Sequence, residues 1–216
     1  SDSLKKLINL LKEKGMPTYV YGIRRGIKEG YIAGYEIIKI DTKTRLEGII
    51  FEGEDYNPED LERKINVPAA NKLITTTYRQ EEDRRQSRRN RKAIVYAVTQ
   101  RHAAQLAYYF NQAYPEFKGR YAEVITSNIP DVDRAIKRFK QEEFPYVAVS
   151  VGMLDTGFDC PEAENIVMVR PTKSPILYQQ MRGRGSRLCP RIGKTSFRLY
   201  DFVKNSETFN DESYNP

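Results

Sequence analysis

From residue 92 to residue 203 the chain alternates short apolar runs with stretches of helical spacing, and few folds accept that rhythm. Residues 93–98 form a continuous apolar run, as a strand does when both of its faces are covered. Residues 101–113 carry helical spacing and residues 121–125 read as a second strand. Residues 131–141 read as a helix with Ile136 and Phe139 on its apolar face. Residues 146–151 and 166–169 are the third and fourth strands, and residues 197–203 the last. Pro175 to about Met181 reads as a helix, with Ser174 as its N-cap ahead of a first-turn proline. Such alternation predicts an α/β fold, a parallel sheet flanked by helices.

The first 90 residues read differently. Residues 3–14 alternate Leu/Ile with Lys/Glu at helical spacing until Gly15 and Pro17. Residues 21–29 suggest a short basic helix ending at Gly30. Residues 35–40 and 46–51 flank Asp41-Thr42-Lys43-Thr44, the pattern of a β-hairpin. Pro58-Glu59-Asp60 could open a further helix. This division predicts a connector over 1–90, an α/β domain over 91–205 and a tail over 206–216. The start, Ser1-Asp2-Ser3, lacks an initiator Met and the pattern of a signal peptide, so a piece of a longer protein is expected.

Composition excludes several classes. No apolar run approaches the roughly 20 residues of a membrane span. Cys160 and Cys189 are the only cysteines, too few for a disulfide scaffold or a metal cluster and suited to the cytoplasm. His102 is the only histidine, which argues against His-based catalysis and His-rich metal sites. The net charge of +7 is compatible with a polyanionic partner. More than half of it lies in residues 79–92, where seven basic residues (Arg79, Arg84, Arg85, Arg88, Arg89, Arg91, Lys92) face three acidic ones, a surplus of four. That run reads equally as a nucleic-acid face or as a solvated helix braced by Glu/Arg pairs.

Two segments carry the candidate chemistry. The third strand runs into Leu154-Asp155-Thr156-Gly157-Phe158-Asp159. The helix after the fourth strand delivers Gln180-Met181-Arg182-Gly183-Arg184-Gly185-Ser186-Arg187. Arginine forks match phosphate oxygens, and three on one short segment suit a polyphosphate grip. Because ligands of open α/β sheets bind beyond the carboxyl ends of strands, both segments are expected at that edge.

The second segment resembles motif VI of superfamily 2 helicases, of the form Q-x-x-G-R-x-x-R. Thr156-Gly157-Phe158-Asp159 resembles their motif V, and residues 92–101 their motif IV. Order and spacing resemble the second, C-terminal RecA-like domain of such motors, a P-loop NTPase-like sheet, over about residues 90–205. The wording Asp155-Thr156-Gly157-Phe158-Asp159-Cys160-Pro161, then Arg170-Pro171-Thr172-Lys173-Ser174, looks most like the motor (R) subunits of type I restriction enzymes. Residues 21–33, followed by a hairpin, resemble the connector between the two motor domains of those subunits.

The resemblance implies specific roles. ATP with Mg²⁺ would sit between two RecA-like domains, held mainly by the N-terminal one. Arg184 and Arg187 would be catalytic arginine fingers reaching the γ-phosphate. Asp159 would contact the ribose or the fingers, Gly157 and Gly183 would line the nucleotide, and Gln180 would couple nucleotide state to strand contacts. Thr156 would meet the nucleic-acid backbone, as would the strand-end loops at Thr99, Gln100 and Arg101 and at Thr126 and Ser127. Double-stranded DNA and the N-terminal RecA-like domain would be partners, with methyltransferase and specificity subunits as further candidates. Another superfamily 2 DNA or RNA helicase, or a basic binding module without ATPase role, are the rival readings.

The departures are equally specific. Gly193-Lys194-Thr195 mimics the end of a phosphate loop, but position 188 is Leu where a glycine is needed. No Walker A loop or acidic metal box is evident, so the chain is expected to hold half an ATPase site and to be inactive alone. Asp55 with Glu62-Arg63-Lys64 resembles a nuclease triplet only loosely, and a solvated helix is the plainer reading.

Overall fold

The computed structural model describes residues 22–40, 68–85, 90–127, 129–152 and 159–216. Six strands form one sheet: β1 (Gly34–Lys39), β2 (Lys92–Tyr96), β3 (Ala122–Val124), β4 (Val147–Ser150), β5 (Ala163–Met168) and β6 (Ser196–Asp201). Their order is β1-β6-β5-β2-β4-β3, and every pairing is parallel. Among the described residues the helices are α1 (Ile23–Lys28), α2 (Pro68–Asp83), α3 (Gln100–Ala113), α4 (Val132–Gln141), α5 (Pro175–Gly183) and α6 (Asn205–Thr208).

Helices cover both faces, which is why the central strands β2 and β4 are mostly apolar. Along β2, Ala93 and Val95 face one layer while Ile94 and Tyr96 face the other, all four at most 1% exposed. The first layer takes Ile74 and Tyr78 from α2 and Leu106 and Phe110 from α3. The second takes Ile27 from α1, Phe139 from α4, and Tyr178 and Met181 from α5. Each large apolar side chain so buried contributes about 1.5–3 kcal/mol.

Residues 34–39, expected as one arm of a β-hairpin, belong to the sheet: β1 lies parallel to β6 at its edge, Gly34 opposite Ser196 and Lys39 opposite Asp201. Its residues are apolar on both faces, Ile37 toward one layer and Ile38 toward the other, as a covered strand requires. The proposed second arm, 46–51, lies outside the described residues, as do the helix at 58–60 and the triplet at 62–64. The C-terminal residues, expected as a tail, pack on β1. Tyr214 bridges Tyr35 in antiparallel fashion, and Ser213 Oγ accepts the Ile37 N–H at 2.8 Å, so they cover the edge of β1.

The described residues of the basic run over 79–92 brace the fold. Arg79 pairs with Glu116 at 3.1 Å, Arg84 pairs with Glu81, and Arg85 donates to Glu82 and to Asn165 at 3.0 Å each. Arg91 sits 3.5 Å from Glu82, and Lys92 Nζ donates to the carbonyls of Glu142, Glu143 and Pro145. Burial lowers the Lys92 pKa to about 8. Arg88 and Arg89 lie outside the described residues.

Much of this brace belongs to α2, whose extent the sequence hid. Two of its buried residues are polar, and the structure satisfies them internally. Thr75 Oγ1 donates to the Asn71 carbonyl at 3.1 Å, and Asn71 Oδ1 meets His102 Nε2 at 3.0 Å. Because His102 Nδ1 accepts the Val98 N–H at 3.3 Å, its Nε2 carries the proton. Full burial lowers the His102 pKa to about 4, so the lone histidine is a neutral staple between α2 and α3.

Candidate functional site

The arginine segment is aimed by α5. Ser174 Oγ accepts from the Leu177 N–H at 3.3 Å and caps the helix, with Pro175 in its first turn. The preceding loop is fixed by Asn205, which accepts the Thr172 N–H and donates to the Arg170 carbonyl, both at 3.0 Å. The helix therefore starts at the carboxyl end of β5 and buries Tyr178 and Met181 as it returns.

Nine helical residues span roughly 13 Å, nearly the length of the strand they retrace. The arginine turn consequently lies at the amino ends of the strands, not at the carboxyl edge expected from the sequence. The Ala33 N–H, just before β1, donates to the Ser186 carbonyl at 2.8 Å, and Gly34 N–H donates to Thr195 at 3.0 Å. Asp159 follows it there, because the chain must cross from the end of β4 to the start of β5. The two segments meet: Arg187 Nε lies 3.4 Å from Asp159 Oδ1, both side chains about half exposed or more.

The three arginines differ. Arg182 is sequestered: it pairs with Asp211 and its guanidinium lies over the rings of Tyr35 and Tyr178, at 5.2 and 5.6 Å. Arg184 caps α5 in helical geometry, and Arg187 is exposed beyond it. The glycines differ as well. A Cβ on Gly185 would lie 2.3 Å from the Phe197 ring, whereas one on Gly183 would meet nothing within 4 Å. Gly185 is thus required by packing, while Gly183 fronts open space. Gln180 is half-buried on the same helix.

Lys194 closes the site from below. It is 3% exposed and donates to the carbonyls of Pro161 and Ala163, which ties the Asp159 strand entry to the turn after Arg187. Arg191 pairs with Glu162 at 2.9 Å across the same junction. Lys194 is committed to these carbonyls, and burial lowers its pKa to about 8. Gly193 takes a left-handed φ of +68° and ends a 3-10 turn over Pro190–Ile192 closed by the Cys189–Lys194 bridge, so Gly193-Lys194-Thr195 is no phosphate loop. Buried Cys160 has its thiol pushed up to about 12 by that burial.

The loops proposed to meet nucleic acid lie at the opposite, carboxyl edge. Thr99 caps α3 by accepting the His102 N–H at 3.2 Å, Gln100 and Arg101 form the first turn, and Arg101 is exposed. After β3, Thr126 is fully buried while Ser127 is exposed. Thr156 and Gly157 lie outside the described residues. Among the described residues no group of three His, Cys, Asp or Glu could hold a metal ion, and no helix is long and apolar enough to cross a membrane.

A six-stranded parallel sheet with helices on both faces and an arginine turn at one edge defines a RecA-like domain of the superfamily 2 helicase type. Residues 65–189 match the helicase conserved C-terminal domain, and the chain belongs to that family. Its relatives include the EcoKI type I restriction enzyme endonuclease subunit of Escherichia coli K12, 30% identical over 88% of this chain and 18% of the relative. The EcoAI endonuclease subunit of E. coli is 25% identical over 93% of this chain and 26% of its own length. A solved fragment described as an HsdR subunit of a type I restriction enzyme from Vibrio vulnificus YJ016 superposes with a TM-score of 0.70 at 25% identity, covering 94% of this chain and 38% of that one. The chain thus spans about a fifth to a quarter of the curated relatives it matches.

The organising residues Tyr35, Asp211 and Lys194 were not found from the sequence. Each contact joins positions far apart in the chain, 29 residues for Arg182 and Asp211, and no local spacing announces them.

Proposed function

We propose that this chain is the second motor domain of an ATP-dependent DNA translocase of the type I restriction kind. Arg184 and Arg187 act as fingers on a nucleotide held mainly by an N-terminal RecA-like domain of the same protein, which also holds the Mg²⁺. The observation that carries this reading is the exposed Arg187–Asp159 pair at 3.4 Å, on a segment where a Cβ at Gly183 would meet nothing within 4 Å. An exposed ion pair is worth roughly 0–1 kcal/mol, so Arg187 can leave Asp159 for a phosphate at little cost. Asp159 keeps the fork oriented while the site is open.

Negative charge builds on the transferred phosphoryl oxygens in the transition state, and a guanidinium there is worth about 10³–10⁵ in rate. Gly157 and Gly183 allow close approach of the nucleotide, and Gln180, one turn before Arg184, relays domain closure toward the DNA side. Thr99, Gln100, Arg101, Ser127 and Thr156 hold the DNA backbone, with Thr126 shaping its turn from beneath. Double-stranded DNA is the track, methyltransferase and specificity subunits are the assembly partners, and the cytoplasm is the compartment.

A basic binding module without ATPase role is disfavoured, because the described arginines of 79–92 are committed to carboxylates and carbonyls. The test is kinetic. This chain alone should hydrolyse no ATP above background. In the intact motor Arg187→Lys should lower kcat about 10³-fold or more while DNA binding stays unchanged; retained ATPase would refute the finger role, and turnover by the isolated chain would refute the half-site.

A further inference from the structure

We infer that Asp211 is a positioning residue for the fingers, acting through Arg182. Its carboxylate accepts from Tyr35 Oη and Tyr178 Oη at 2.7 Å each and pairs with Arg182. Arg182 and Asp211 side chains are each 11% exposed. A charge-assisted cluster of this kind, with its members buried against two rings, has one low-energy arrangement.

That arrangement fixes the rotation of the last turn of α5. Successive helical residues turn by about 100°, and Arg184 keeps helical geometry at φ −65°, ψ −24°. Residue 184 therefore points about 200° away from residue 182: holding Arg182 against Asp211 sets the direction in which Arg184 leaves the helix. A second link runs to the other side of the turn. Tyr35 stacks on Phe197 at 5.6 Å, and Phe197 is the ring against which Gly185 is packed. Asp211 itself is anchored by its N–H to the Ser206 carbonyl at 2.8 Å, and Phe209 stacks on Tyr178 at 4.7 Å. Tyr35 and Asp211 lie outside the residues matched by the family model, 65–189. The edge strand and the C-terminal segment of this chain thus supply a clamp on the arginine helix that the matched region does not contain.

The inference rests on the finger role of Arg184 and Arg187, and the experiment separates the two. In the intact motor, Asp211→Asn should lower kcat about 10- to 100-fold through misaimed fingers, with KM for ATP within about twofold. A double-mutant cycle with Arg182→Met reads whether the two act as one unit. The expected result is that Arg182→Met/Asp211→Asn loses no more kcat than either single change. Multiplying losses, or a folded Asp211→Asn motor with normal kcat while Arg187→Lys is dead, would overturn the positioning role. If Asp211→Asn fails to fold, Arg182→Met/Asp211→Leu removes both charges together; reduced kcat at unchanged KM supports the inference, and normal kcat overturns it. A live Arg187→Lys motor would bring down both readings.

Discussion

The chain holds two arginine-rich segments, and they do opposite things. Between residues 79 and 92 each described arginine is paired with a carboxylate, Arg85 and Arg91 sharing Glu82, and these two are largely buried. Between residues 182 and 187, Arg182 is held in the same way, whereas Arg187 is left exposed beside Asp159. Counting charge would rank the first segment as the functional one. Counting committed partners reverses the order, because a guanidinium already satisfied inside the fold has no fork left for a ligand.

That contrast can be attacked from both sides. The largest effect should come from the arginine turn, where Arg187→Lys costs activity and not stability. In the brace, the reverse holds. Arg85→Met strips Glu82 of its closest arginine and Asn165 of a donor, and should cost about 3 kcal/mol of unfolding free energy, as breaking a largely buried pair does, with normal ATPase per folded motor. Chemical denaturation reads the first, and an unchanged midpoint would mean that the brace is decorative.

The staple behind the brace gives a pH signature of similar size. The folded state lowers the His102 pKa from 6.5 to about 4, so the unfolded chain takes up the proton first. Its contribution is whole above about pH 6.5 and is lost as pH falls toward 4, amounting to about 3 kcal/mol. Denaturation midpoints across that range should show the decline, and His102→Gln should remove this component of it.

Smaller effects distinguish the glycines. Gly185→Ala drives a methyl into Phe197 and should cost about 1–3 kcal/mol. Gly183→Ala meets open space and should leave stability within about 1 kcal/mol, so any loss of ATPase there reports on the nucleotide side. Smallest of all, Arg84→Gln breaks an exposed pair and should shift stability by less than about 0.5 kcal/mol.

The alternation of strands and helices was legible because central strands such as β2 and β4, covered on both faces, read as apolar runs. The meeting of Asp159 with Arg187 was legible because both segments bear recognisable motifs. The edge was not, since it depends on a short helix retracing its strand. Strand β5 begins at Ala163, three residues before the apolar run suggests, because Glu164 and Asn165 are buried polar residues satisfied by Arg91, Arg85 and Tyr78. The parallel seat of β1 and the Asp211 clamp were hidden for a similar reason: long-range partners, not local pattern, make them.

The most direct measurement compares two nucleotide states in the intact motor. If Arg187 serves the transition state, Arg187→Lys should weaken binding of ADP–aluminium fluoride, a planar mimic of the transferred phosphoryl group, about 10³-fold. Affinity for a non-hydrolysable ATP analogue should change by no more than a few-fold. Equal losses for both ligands, or none for either, would contradict the account.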